Sequence, residues 1–225
     1  TDECTLKVTP AAVTVTAKDS NKVYGADDPA FEAEVSGVVD DFEIVYTVTR
    51  PGAGTDENVG TYTDAIVAAG EATQGNYTVT YVPADFEITK AGTLTVAATG
   101  YEGVYDAAEH AASAVASVTE GTTIEYKVGD GEWTTTAPSI KDVGEQDVSV
   151  RATNPNYETA TDECTLKVTP KPVTVTADNK TQVYGAADPG LTAPVSGTIG
   201  DDTVTYTLSR EEGETVEGSP YTITP

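Results

Sequence analysis

Apolar and polar residues alternate with a period of two through most of the chain, the signature of strands with one buried face. The alternation is clearest in Thr123-Ile124-Glu125-Tyr126-Lys127-Val128, where Ile124, Tyr126 and Val128 share a face. The same reading puts Val13/Val15, Ile44/Tyr46/Val48, Tyr77/Val79/Tyr81, Phe86/Ile88, Leu94/Val96, Val148/Val150 and Leu166/Val168 on the core side of further strands. Turn residues separate these segments. Gly129-Asp130-Gly131 predicts a tight hairpin, because glycine and Asp-Gly steps tolerate positive φ, and Trp133 is expected to pack over it. Residues 107–117, AAEHAASAVAS, are too short for periodicity to separate a helical turn from a strand; strand is the preferred reading.

The alternation is organised into repeats. TDECTLKVTP at residues 1–10 returns letter for letter at 161–170, and over residues 1–50 against 161–210 there are 29 identities in 50. A fainter likeness lies inside that unit. Val13-Thr14-Val15-Thr16-Ala17 and Val23-Tyr24-Gly25 are echoed by Leu94-Thr95-Val96-Ala97-Ala98 and Val104-Tyr105-Asp106. Likewise Gly75-Asn76-Tyr77 with Phe86-Glu87-Ile88-Thr89 is echoed by Pro155-Asn156-Tyr157 with Leu166-Lys167-Val168-Thr169. This predicts the last strand of a B-type module at 1–10, an A-type module at 11–91, a B-type module at 92–170 and a second A-type module at 171–225, truncated before its last two strands. Six or seven strands in about eighty residues fit an all-β module, an Ig-like sandwich or a β-grasp-like sheet, strung in an elongated array.

The motifs carry a family resemblance. V-T-V-T-A, then V-Y-G-A-x-D-P (Val23, Tyr24, Gly25, Ala26, Asp28 and Pro29; again 183–186 with Asp188 and Pro189), then V-S-G and a terminal G-N-Y strand, resembles the MBG domains of YGX type, which recur in large surface and adhesin-like proteins of bacteria. The B-type segment resembles the repeats that accompany them, departing at Asp106 where the motif has glycine. The resemblance implies a stalk or adhesive repeat at the bacterial cell surface, extracellular, with neighbouring repeats as partners, and it brings no catalytic residues.

Charge and composition narrow the function further. With 12 Lys+Arg against 37 Asp+Glu the net charge is −25, which repels the phosphates of nucleic acids and disfavours anionic membrane surfaces. No stretch approaches the roughly 18–20 apolar residues of a membrane-spanning helix. One histidine, His110, and two cysteines in equivalent places of different copies, Cys4 and Cys164, cannot assemble a metal knot or a nucleophile–base pair within one module, so an enzyme is not expected. His110 is expected at a strand end or on the surface. Cys164 is read as a small buried hydrophobe aligned with Ala84, and Cys4 as the better candidate for an intermolecular disulfide. Acidic pairs at turns, Asp27-Asp28 and Asp40-Asp41, are weak calcium candidates without a D-x-D-x-D-G loop, and solvated turn charge is the simpler reading. Lys127 and Lys167 lie on outward parity and Lys18 and Lys22 in a turn, which argues against an isopeptide cross-link. Asn76-Tyr77-Thr78 and Asn179-Lys180-Thr181 match the glycosylation triplet. Twelve tyrosines support a rival class, a carbohydrate- or mucin-binding module on host glycan, with Tyr62, Tyr101 and Tyr221 as exposed candidates.

Overall fold

A computed structural model describes residues 3–39, 41–55 and 57–225; strands, turns and irregular segments make up the described chain, with no helix among those residues. It divides into two compact units, Thr1–Ala97 with Val115–Ile124 and Arg151–Thr161, and Ala98–Ala114 with Glu125–Val150 and Asp162–Pro225.

The first unit opens with eight strands: β1 Ala11–Ala17, β2 Ser20–Val23, β3 Ala33–Ser36, β4 Thr47–Thr49, β5 Gly60–Ala69, β6 Thr73–Gln74, β7 Tyr77–Val82 and β8 Ala84–Thr89. They form two four-stranded sheets, ordered β3-β1-β7-β6 and β2-β8-β5-β4. Each sheet has one parallel pair, central in the first, with Val13 beside Val79 in β1·β7, and at the edge in the second, with Lys22 beside Ile88 in β2·β8. Both sheets feed one core: Val13, Val15, Tyr77 and Val79 from the first and Ile66, Ala68, Phe86 and Ile88 from the second are buried. Two sheets over a shared core make a sandwich rather than a β-grasp sheet.

Most of the predicted core faces are where parity puts them; Val128, 39% exposed, is the exception at the mouth of its hairpin. Strand β5 has no counterpart in the alternation. Its pairing with β8 slips between Tyr62 and Ile66, and Asp64 there has φ +54, so two residues are added and the period of two is broken. Lys22 lies inside β2 rather than in a turn, with its side chain 9% exposed.

Further along run β9 Val96–Thr99, β10 Tyr101–Val104, β11 His110–Ala111, β12 Ser113–Ala116, β13 Thr123–Val128, β14 Ser139–Ile140, β15 Gly144–Thr153 and β16 Ala160–Thr169. Residues 107–117 are thus strand where they are regular. The largest sheet here is β10-β16-β15-β13, and its parallel edge sets Tyr101 beside Leu166 and Gly103 beside Val168. The hairpin after β13 closes with the Gly131 amide donating to the Val128 carbonyl at 3.0 Å, and the Lys127 ammonium lies 5.3 Å from the Trp133 ring.

The last region has four short strands, β17 Thr174–Val175, β18 Val195–Ser196, β19 Ser209–Arg210 and β20 Ile223–Thr224. The register Val175 to Val195 repeats that of Val15 to Val35 in the first copy.

Identical letters take two conformations. At 161–170 they include most of β16, with Leu166 and Val168 buried; at 3–10 no strand forms and Leu6 and Val8 are 92% and 84% exposed. A strand requires a neighbour to satisfy its backbone groups, and no described residue provides one to 3–10.

Candidate functional site

The V-Y-G-A-x-D-P segment builds a largely buried network of hydrogen bonds and ion pairs. Tyr24 donates its amide to Thr89 at the end of β8, and Ala26 donates to Val23 at 3.0 Å, closing a turn whose third residue, Gly25, has φ +81. That conformation suits glycine. The turn delivers Asp28 to Arg50, just past β4. Arg50 Nε donates to Asp28 Oδ2 at 2.8 Å, and Nη2 to Asp28 Oδ1 at 2.8 Å and to Glu57 Oε1 at 2.6 Å. Gly54 also donates its amide to Glu57 Oε1. Lys22 reaches in from β2, 2.9 Å from Asp28 Oδ1 and against Glu57 Oε2. The Arg50 side chain is 3% exposed and its guanidinium stacks 4.5 Å from the centre of the Phe86 ring.

Two cations and two anions balance in this cluster. The Lys22 hydrogen bond, helped by the Gly54 amide and Arg50 against burial, pulls the Glu57 carboxyl down to about 2, and Arg50 beside Asp28 lowers that carboxyl as well. Glu57 above all raises Lys22, and Asp28 above all raises Arg50. With both carboxylates held ionised by cations, neither is placed to act as a general acid or base near neutral pH. The cluster pins turn, β2 and the end of β4 together.

The second copy repeats the arrangement. Arg210 Nε donates to Asp188 Oδ2 at 3.0 Å, and Nη2 to Asp188 Oδ1 at 2.9 Å and to Glu214 Oε1 at 2.5 Å. Gln182 stands where Lys22 does and donates to the Ala186 carbonyl. Asp28/Asp188 and Arg50/Arg210 recur at the repeat spacing and could have been paired from sequence. Glu57 and Glu214 do not share that spacing, so nothing in the repeat pointed to them.

A second polar feature ties the loop after β15 to the first sandwich. Asn156 accepts the Val59 amide at 2.9 Å through Oδ1 and donates through Nδ2 to Asn58 Oδ1 at 2.9 Å. Its carbonyl accepts the Ala91 amide, and the Glu158 amide donates to Ala91. Tyr157 meets the motif tyrosine Tyr24 edge to face, centroids 5.4 Å apart. Asn154, 8% exposed, braces the loop by accepting the Asn156 amide and donating to Glu120 and Thr122. In the other unit, Tyr105, the counterpart of Tyr24, is half-buried; its partial desolvation and then the neighbouring Asp202 carboxylate push its phenol up.

The MBG domain (YGX type) matches residues 13–87 and 173–225, together more than half of the chain. The chain belongs to this family. Domains of the family recur in bacterial surface proteins as structural modules. No curated relative matches the chain.

Within this MBG chain each predicted site residue has its own surroundings. Cys4 is exposed with a free thiol; Cys164 is half-buried on the Leu166 face of β16, its thiol pushed up by burial and by Asp162. Asp27 and Asp41 are exposed, Asp40 lies outside the described residues, and Asp28 is paired with Arg50 and Lys22. Among the described residues no three His, Cys, Asp or Glu side chains converge on a cation position. His110 begins β11, stacked 3.5 Å from the Tyr101 ring and 3.0 Å from Asp106. The three tyrosines expected at the surface are engaged instead: Tyr62 packs on the core, Tyr101 on His110, and Tyr221 donates to the Thr215 carbonyl at 3.0 Å.

Proposed function

We propose that the chain is a stalk segment of an extracellular fibre on a bacterial surface, spacing or presenting a functional tip and gaining any adhesion from multiplicity rather than from one strong site. The loop at 154–158 supports this reading most. It is assigned to the B-type module, yet it satisfies its own backbone on Ala91 and caps Tyr24, Asn58 and Val59 of the A-type module with hydrogen bonds and a ring contact. A flexible tether needs none of these contacts; a spacer that transmits direction does. The motif tyrosine then doubles as the seat of the next module, as Tyr105 beside Asp202 repeats.

Small-angle scattering of the full chain tests the proposal. An elongated profile is expected, and the double variant Asn156→Ala/Tyr157→Ser should broaden the distance distribution as the joint loosens. A compact profile in the unaltered chain overturns the stalk reading. Saturable binding on a glycan or mucin array would replace it with the carbohydrate-binding one.

A further inference from the structure

The segment that enters the first sandwich and the segment that leaves it run side by side. β1 and β2 carry the chain from one sheet into the other, and β7 and β8 do the same. β1 is parallel to β7 over six pairs, from Ala11 beside Tyr77 to Thr16 beside Val82. β2 is parallel to β8 over four, from Ser20 beside Phe86 to Val23 beside Thr89. Further bonds fasten the two segments along their length. The Ala11 amide donates to the Asn76 carbonyl at 2.9 Å where they start, and the Asp85 amide to Asp19 Oδ1 at 2.9 Å where both change sheets. At the far end the Tyr24 amide donates to the Thr89 carbonyl at 2.8 Å, and Thr89 Oγ1 to the Lys22 carbonyl at 3.2 Å.

Later in the chain the pattern returns. Ala91 bridges Tyr157 in parallel and donates its amide to the Asn156 carbonyl at 3.1 Å, as Ala11 does to Asn76. β10 is parallel to β16 over four pairs. There the Tyr105 amide donates to the Thr169 carbonyl at 2.9 Å and Thr169 Oγ1 to the Gly103 carbonyl at 3.1 Å, matching Tyr24 and Thr89. Parallel pairing sets the response to a pull. Tension applied at Ala11 and Thr89 draws β1 with β2, and β7 with β8, past one another along a common axis. The interstrand bonds lie across that axis, so they share the load and yield together. Peeled from one end, the same bonds would yield one at a time. Lys22 adds to the resistance, because β2 cannot slide along β8 without drawing its ammonium away from Asp28 and Glu57.

We infer that the parallel pairs β1·β7, β2·β8 and β10·β16 are shear clamps, which make the chain load-bearing when it is pulled from its two ends. Tension of that kind arises in a surface stalk, so the clamps take their purpose from the stalk reading. Forced unfolding is governed by the unfolding rate and not by equilibrium stability, so the direction of loading decides the strength. The motif tyrosine then has two tasks: its ring meets Tyr157, and its amide closes the clamp on the last strand of the sandwich.

Single-molecule force spectroscopy of the full chain separates two directions of loading, in a Cys4→Ser/Cys164→Ser background that keeps the thiol attachment point unique. With handles at the two ends of the chain, two tall rupture events are expected. Each should release about eighty residues, roughly 260–290 Å of extended chain less the folded length. With handles at the amino terminus and at Asn76→Cys, the force peels β1 from β7 at their common end. Rupture should then come at a force several-fold lower, although the same bonds break. Asn76 is exposed and holds Ala11 through its carbonyl, so the substitution keeps the pairing, and end-to-end pulling of Asn76→Cys should match the parent. Thr89→Val lacks only the hydroxyl that holds Lys22, and should lower the end-to-end force while leaving the peeling force unchanged. Equal forces in the two directions, or smooth end-to-end extension without rupture events, overturn the inference. An elongated scattering profile with a low end-to-end force keeps the stalk and removes the clamp; a compact profile with a high force does the opposite.

Discussion

Removing the Arg50 side chain would leave the Asp28 and Glu57 carboxylates with Lys22 as their only cation, in a site where the two carboxylate side chains are 21% and 28% exposed. Breaking a buried ion pair from one side costs about 3–5 kcal/mol, and the partial exposure here argues for the lower end. Arg50→Met is therefore expected to shift the denaturant midpoint of the first module strongly. Arg50→Lys should recover little, because a point ammonium cannot make the fork onto Asp28 or the stack on Phe86. The same cluster sets an acid limb. Glu57 titrates at about 2 in the folded chain against an ordinary 4.5. A lowered folded pKa contributes stability that is present above 4.5 and lost as pH falls from there towards 2. The Glu57→Gln variant should thus be less stable than the parent at neutral pH, with the difference narrowing as pH drops through that window. A difference that stayed constant down to pH 2 would show that Glu57 acts through packing rather than charge.

At the scale of elements, the V-S-G motif has a mechanical explanation. Gly37 ends β3 with φ +97, and a Cβ built there lies 2.5 Å from the Ala12 carbonyl oxygen; Gly197 repeats this with φ +95 and 2.9 Å to the Pro172 oxygen. Gly37→Ala pays both for the positive φ and for pushing β1 away, about 1–3 kcal/mol for the conformation alone. Gly52→Ala, where nothing lies within 4 Å and φ is not positive, serves as the control and should leave the melting temperature near the parent's. Such turns were legible in the sequence because glycine spacing repeats with the modules. So were most core faces, because a strand buried on one side writes its parity into the letters: Val13, Val15, Phe86, Ile88, Leu166 and Val168 all obey it. What escaped was non-local or irregular. The slip between Tyr62 and Ile66 hid β5, and a cluster assembled from positions 22, 28, 50 and 57 has no local pattern. Residues 3–10 mark the limit of parity: it says which side of a strand is apolar and leaves open whether a neighbour is there to make it a strand.

For the whole molecule, a net charge of −25 sets the chain against its own compaction. That long-range repulsion is screened over a Debye length that shrinks from about 30 Å at 0.01 M to about 3 Å at 1 M ionic strength. The ion pairs of Arg50 with Asp28 and Glu57 are largely buried and are screened far less, so added salt weakens the repulsion without dissolving the cluster. The denaturant midpoint is therefore expected to rise with sodium chloride across that range, while the shift caused by Arg50→Met stays nearly constant. A midpoint that falls as salt rises would show that attractive surface ion pairs outweigh the net repulsion.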